Sequence, residues 1–480
     1  VIIPIACFWI TGSLAQTALA KDYKIPGTDD WSVLSSLREG DTVMIEEGTY
    51  VDIQQAISGS GTESKPITVY AQTLGGVKFT GTTGFTVSGD HITVAGLVFD
   101  GTGETVCNVF QGRYILLMPN SQYCRVTNCV FDNNDDTQST HETLFVELAG
   151  FNHRIDHNVF EGKNDKGPSL YLKPEKIESK TTPRHHRVDH NYFGPRSNIS
   201  LNGYEGIRVS WSGRQNWAMD CLVEYNYFYK TIDAGNSGES EVISSKSGGN
   251  VYRYNTLEAC YGEIHLRHGD GCTVESNFFI GPNNATRESG VIVVGENHIV
   301  RNNYFESIKG GHPGGYRYAL VLMKGNPDWA ENGLDTSDNT YEAPNNCMIA
   351  NNTFVNCENP VNFGCQKNLK STAQKLTYGK SPENVTFINN VFQSQSGAQA
   401  LVVNTYEATA VTFTNNYGYH PDGLWGALPS EHNTLTSSVS PRLEEKTGFH
   451  RIGRSDVGPS FTYETGTGPR DSFVLGGSNK

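Results

Sequence analysis

The sequence has little of what several protein classes require. Of its 480 residues only 5 are Met, and charged residues make up 18%. Basic side chains are in deficit, 37 against 51 acidic ones, for a formal net charge of −14. Such a chain lacks the basic footprint of a nucleic-acid binder, so an anionic polymer would have to be met by local positive charge in a cleft. Past the first twenty residues no apolar run is long enough to cross a bilayer. Cysteine is present, 10 in all, but no C-x-x-C pair occurs, which argues against a zinc site. Leaving out Cys7 makes the count odd, so a full disulfide framework is disfavoured and buried, thiol-bearing small side chains are expected.

The opening stretch VIIPIACFWITGSLAQTALA is apolar and ends in Ala18-Leu19-Ala20. It reads as a secretory signal, truncated at its start, covering residues 1–20. That reading predicts a secreted or periplasmic bacterial protein whose remaining residues, 21–480, form one domain.

What the sequence does have is a repeat. RVTNCVFDN, RIDHNVFEG, RVDHNYFGP, LVEYNYFYK, VYRYNTLEA, TVESNFFIG, IVRNNYFES, MIANNTFVN and VTFINNVFQ follow one another along the chain, with a weaker VTFTNNYGY. The recurring asparagines are Asn128, Asn158, Asn191, Asn226, Asn255, Asn277, Asn303, Asn352, Asn390 and Asn416. A fixed unit with variable insertions is the mark of a solenoid. Each unit alternates apolar and polar residues, is rich in Val, Ile, Thr, Tyr and Phe, and turns at Asn, which disfavours the competing reading of helical repeats. Asn tolerates the left-handed backbone of such a turn and, stacked on itself, forms an amide ladder. The expected fold is all-β, a right-handed parallel β-helix of about a dozen coils. Its open N-terminal end needs a cover. TDDWSVLSSLREGD predicts a capping helix, with Thr28 or Asp29 as N-cap and Trp31, Leu34 and Leu37 on one face.

One stretch, GESEVISSKSGGN, breaks the apolar rule. Glu239 and Glu241 lie two residues apart, so on a strand they share a face and repel. With Asn202 from an earlier unit they make a hard oxygen set suited to Ca²⁺. Lys246 follows, and Arg267 and His268 lie about one coil further on, which predicts that Lys246 and Arg267 stack as neighbours. A solvated glutamate pair with unrelated basic residues is the plainer reading of the same spacing.

NGYEGIRVSWS, SGESEVISSKS and GENHIVRNNYF, with the opening GDTVMIEEGTY and GSGTESKPITVYAQTLGGVKFTG, resemble polysaccharide lyase family six, the group of alginate lyases and chondroitinase B. The resemblance covers most of the chain after residue 20. It implies a parallel β-helix that cleaves 4-linked uronate polymers, with alginate the favoured substrate. It implies Asn202, Glu239 and Glu241 as calcium ligands, Lys246 as base, Arg267 as acid, and Arg208 and His268 as substrate contacts. The chemistry suits those types. Taking the C5 proton beside a carboxylate builds negative charge there, which a bound cation spreads. Arginine is an unusual proton donor, so electrostatic stabilisation by Arg267, with the proton delivered by water or a tyrosine, stays open. One departure stands out: relatives would carry an arginine where SGVIVVGENH has Ile292. Arg287 is the nearest substitute, with Arg317, His312 and Lys324 weaker ones. A β-helix hydrolase would need clustered aspartates, which are missing. A carbohydrate-binding solenoid without catalysis would not require Lys246 and Arg267 beside paired carboxylates.

Overall fold

The computed structural model describes residues 19–101, 112–132, 143–163, 165–174, 182–196, 203–211, 217–231, 241–282, 288–310, 317–326, 341–365, 379–405, 408, 410–441 and 451–459. Residues 1–18, most of the presumed signal, lie outside them.

Successive strands fall in rotation into three long parallel sheets of 14, 14 and 13 strands, which is a right-handed parallel β-helix. One sheet carries an arginine file on its outer face. Arg125, Arg154 and Arg187 stand in register on consecutive coils. Carboxylates interleave with them and remove the repulsion: Asp156 pairs with Arg125, Asp189 with Arg154, and Glu224 with Arg187. A second sheet sends phenylalanines inward. Phe99, Phe131, Phe160, Phe193 and Phe228 stack at ring separations of 4.6–5.1 Å. That is close to the ~4.8 Å between paired strands, so one ring per coil fills the core without a gap. The third sheet runs through Leu144–Leu148, Leu170–Leu172, Ile207–Val209, Glu241–Lys246, Glu263–His268, Val291–Val293 and Leu320–Met323.

The asparagine ladder exists, with two corrections. Asn158, Asn191, Asn226, Asn255, Asn277, Asn303, Asn352, Asn390, Asn416 and finally Asn433 are joined, each Nδ2 donating to the next Oδ1 at 2.8–3.1 Å. Asn128 is not a rung; its neighbour Cys129 holds that place and donates its backbone N–H to Asn158 Oδ1. Nor is the rung the left-handed residue. That is the residue before it: Asn128, His157, His190, Tyr225, Tyr254, Ser276 and Asn302 have φ of 54–57°. The turn strain and the ladder bond are thus carried by adjacent residues.

A second ladder occupies the corner before the arginine sheet. The backbone N–H of Cys124 donates to His153 Nδ1, that of His153 to His186 Nδ1, that of Cys221 to Asn250 Oδ1, and that of Cys272 to His298 Nδ1. Cysteines, histidines and Asn250 share that interior corner. The eight described cysteines are all buried free thiols.

The N-terminal cover is shorter than expected. Trp31–Ser36 is a 3-10 helix capped by Asp30, which accepts from the Ser32 N–H, rather than by Thr28 or Asp29. Leu37 already belongs to the strand Leu37–Arg38. The helix stands where the first coil's phenylalanine-sheet strand would be, and Trp31 meets Tyr50 edge-on at 5.4 Å. At the other end of the sequence the chain returns along the solenoid. Ile452 and Val457 pack on Val98, Val130, Val159 and Tyr192, and Arg454 lies over the Tyr192 ring at 3.7 Å. Among the described residues no helix is long and apolar enough to cross a membrane.

Candidate active site

The third sheet slips register between Leu320–Met323 and Val361–Cys365 by a single shift, and more strongly at one place earlier in the chain. Between Glu241–Lys246 and Glu263–His268 the register shifts twice, once after Glu241 and once after Ser245. The second shift makes Arg267 an extra residue, so Lys246 pairs with His268 and not with Arg267. The expected stacking of Lys246 on Arg267 is therefore corrected: the bulge frees the arginine to turn back across the strand. Its Nη1 donates to Glu241 Oε1 at 3.2 Å.

Arg208, Ser244 and His265 form one outward file on consecutive coils. Arg208 grips Glu205 with two bonds, Nε to Oε1 at 3.0 Å and Nη2 to Oε2 at 2.8 Å. Lys246 Nζ lies 3.8 Å from Glu205 Oε1, and its side chain is 11% exposed. His265 Nδ1 lies 3.0 Å from Glu241 Oε1 and 3.8 Å from Glu263 Oε1. Tyr341, returning over this face, stacks on the His268 ring at 5.7 Å and lies 5.9 Å from the Arg267 guanidinium. Lys246, Arg267, His268, Arg208 and Glu241 are thus brought to one face.

The electrostatics follow from burying charges together. Burial would raise the Glu205 carboxyl, but Arg208 and Lys246 outweigh it and hold it below the ordinary range. Glu241 is likewise raised by burial and drawn well below its ordinary value by Arg267 and His265. Burial, then Arg267 and Lys246, push His268 well below its usual value, so its ring is neutral at pH 7 and cannot add a third cation.

Asn202 and Glu239, the other two expected calcium ligands, lie outside the described residues, as do Arg287 and His312. Among the described residues no group of three His, Cys, Asp or Glu side chains is arranged for a metal. Glu241 itself is a buried oxygen donor at the edge of the bulged strand, which suits a hard cation. Arg317 is buried, and Lys324 directly follows the strand Leu320–Met323, one coil after Ile292.

Sequence reasoning passed over Glu205, Glu263, His265 and Tyr341. Glu263 and His265 had a signal, since a strand sends Glu263, His265 and Arg267 to one face by alternation. Glu205 stood inside the quoted NGYEGIR. Tyr341 had none: it arrives from a separate insertion, and only the folded chain places it.

Comparison with known proteins bears on the family and the fold. Residues 29–425 match the family model of chondroitinase B. The PL6 family alginate lyase AlyGC superimposes with a TM-score of 0.76 and 29% identity, over 91% of this chain and 58% of that one. A mutant of the same enzyme gives 0.79 and 28%, over 94% and 60%. This chain thus spans under two thirds of the AlyGC length. A mannuronic acid specific polysaccharide family 6 lyase from human gut microbiota shares the fold, with a TM-score of 0.67 and 24% identity over 87% of this chain and 92% of that one. No curated protein sequence matches. The family match covers most of the chain and agrees with the fold: the protein belongs to the chondroitinase B family, polysaccharide lyase family six.

Proposed function

We propose that this protein is a secreted or periplasmic lyase that cleaves alginate by β-elimination. The observation that carries this reading is the convergence of Lys246, Arg267, His268 and Arg208 on one face around buried glutamates. Lys246 takes the C5 proton of the uronate. The electron pair left behind forms the C4–C5 double bond, and the bond from C4 to the glycosidic oxygen breaks. Arg267 neutralises the departing O4, which gains its proton from water or from the Tyr341 hydroxyl. Arg208, anchored by Glu205, and the neutral His268 orient the sugar. Calcium held by Asn202, Glu239 and Glu241 would supply charge stabilisation at the substrate carboxylate. Alginate is preferred over chondroitin-type polymers because the two solved structures at 28–29% identity are those of an alginate lyase and its mutant.

The test is an ultraviolet assay across mannuronate blocks, guluronate blocks and dermatan sulfate. Elimination creates a conjugated double bond that absorbs; hydrolysis and simple binding do not. A signal on either alginate block supports the reading. A signal on dermatan sulfate alone reassigns the substrate, and binding with no absorbance on any polymer overturns the enzyme.

A further inference from the structure

The outer face of the third sheet changes character at the site. Two files of side chains run along it, one through Glu147, Tyr171, Arg208, Ser244, His265, Ile292 and Val321. The other passes Lys173 and Lys246 to His268, then Val294 and Met323. From Glu147 to His265 the first file is polar apart from the Tyr171 ring, and the second carries Lys173, Lys246 and His268. On the C-terminal side both turn apolar at the same coil, and Ile292, Val294, Val321 and Met323 are at most 1% exposed. These four pack with Tyr341 and Tyr318 into a small core outside the coil. The Ile292 departure belongs to this core: an arginine there would be buried among apolar groups.

The polar side holds a second cationic station. Glu147, 3% exposed, is gripped by Arg113 at 2.6 Å and by Lys173 at 2.8 Å, while those side chains are 25% and 30% exposed. The buried carboxylate fixes both cations, and their open edges face outward. Lys173 is two coils from Lys246, about 10 Å at the usual strand spacing. Arg208, poised 5.5 Å over the Tyr171 ring, lies between them.

We infer that the substrate groove is one-sided: it runs from Lys246 toward the N-terminal coils, and Arg113 with Lys173 forms a distal subsite for a uronate carboxylate. The inference rests on the lyase reading for its substrate class. Sugars bound there extend the polymer away from the bond being cut. Among the described residues, Ile292, Val294, Val321 and Met323 present an apolar face in place of a charged partner for a polyuronate running the other way, so the chain is cut near one end.

Two measurements test it. Binding of saturated uronate hexamers and trimers is measured by calorimetry on the Lys246→Ala protein, alone and with Lys173→Met added. Lys173→Met leaves Glu147 paired with Arg113; Lys173→Gln serves if the first variant melts early. Hexamer affinity is expected to fall at least fivefold and trimer affinity less than twofold. Equal losses, or none, overturn the subsite. Products from long alginate are sized at low conversion by mass spectrometry. Short oligomers alone support a one-sided groove; a ladder of long fragments overturns it. Absence of any absorbing product from the wild-type protein would instead fail the lyase reading, and the calorimetry would still decide the subsite.

Discussion

Two parts of the same coils obey different rules. At one corner Asn226, Asn255 and Asn277 repeat one contact, amide to amide at 3.0–3.1 Å, coil after coil. Across the coil, Glu241–Lys246 and Glu263–His268 slip register twice within six residues. The corner is a scaffold whose every rung satisfies a buried amide. The bulged strands leave that economy. They gather Glu205, Glu241 and Glu263 with Lys246, Arg208 and Arg267, charges that would cost several kcal/mol each if buried alone. Repetition holds the coils together; the lapse in repetition aims side chains out of them.

If this contrast is right, changes at the bulge should abolish turnover and spare stability. Lys246→Ala is expected to lower kcat by roughly 10³-fold or more, within the range for a lost general base, with little change in the melting temperature. Lys246→Arg should fail as badly, because a guanidinium keeps its proton. Steady-state kinetics beside thermal melts check both; an arginine variant with most of the wild-type turnover would remove Lys246 as base. Next in size is metal removal. Exhaustive chelation should lower kcat by about 100-fold, since a Lewis acid is worth several kcal/mol at developing charge, and calcium should restore it. Metal analysis of the purified protein gives a readout besides activity; a metal-free protein with full turnover would exclude calcium.

The corner should respond in the opposite sense. Asn277→Ala removes a rung that accepts from Asn255 and donates to Asn303. It should lower stability by about 1–3 kcal/mol, the cost of stranding buried partners, while kcat per folded molecule stays within twofold. Chemical denaturation measures the first and the ultraviolet assay the second. An unchanged midpoint would mean that neighbouring rungs or water replace the lost amide.

How much of this was legible beforehand follows the same division. The ladder could be read from the recurring Asn because a repeat writes the same physics many times, and errors average out. Asn128 misled because RVTNCVFDN carries Asn one place early, where the left-handed turn residue belongs and Cys129 takes the rung. The resemblance and the carboxylate spacing singled out Lys246, Arg267, His268, Arg208 and Glu241, and the fold brings these to one face. Their mutual geometry was not. A bulge inserts one residue without a sequence mark, so counting coil lengths placed Arg267 beside Lys246 when His268 is there. Tyr341 depends on how an insertion folds back over the sheet, a contact between segments far apart in the chain.

The smallest expected effect separates the two ladders from each other. The second ladder uses His298 where, two coils earlier, it uses Asn250, and each accepts a cysteine N–H, from Cys272 at 3.1 Å and from Cys221 at 3.0 Å. Each also meets a backbone carbonyl nearby, His298 Nε2 at Val294 and Asn250 Nδ2 at Ser247. His298→Asn should therefore cost under ~1 kcal/mol at pH 7, as a polar swap that preserves the main bond. The difference lies in acid. Burial holds the His298 imidazole down at about 4. Its unfolded value is about 6.5, so the unfolded chain binds the proton more readily. The stability His298 carries is then complete above pH ~6.5 and declines toward pH ~4, by about 1.4 kcal/mol per pH unit. Asn has no such proton to take up. Denaturation midpoints of the two proteins should nearly coincide at pH 7 and diverge by pH 5, with the asparagine variant losing less. If both fall in parallel between pH 7 and pH 5, His298 is not a source of acid sensitivity, and His153, held by burial at about 3, becomes the residue to replace.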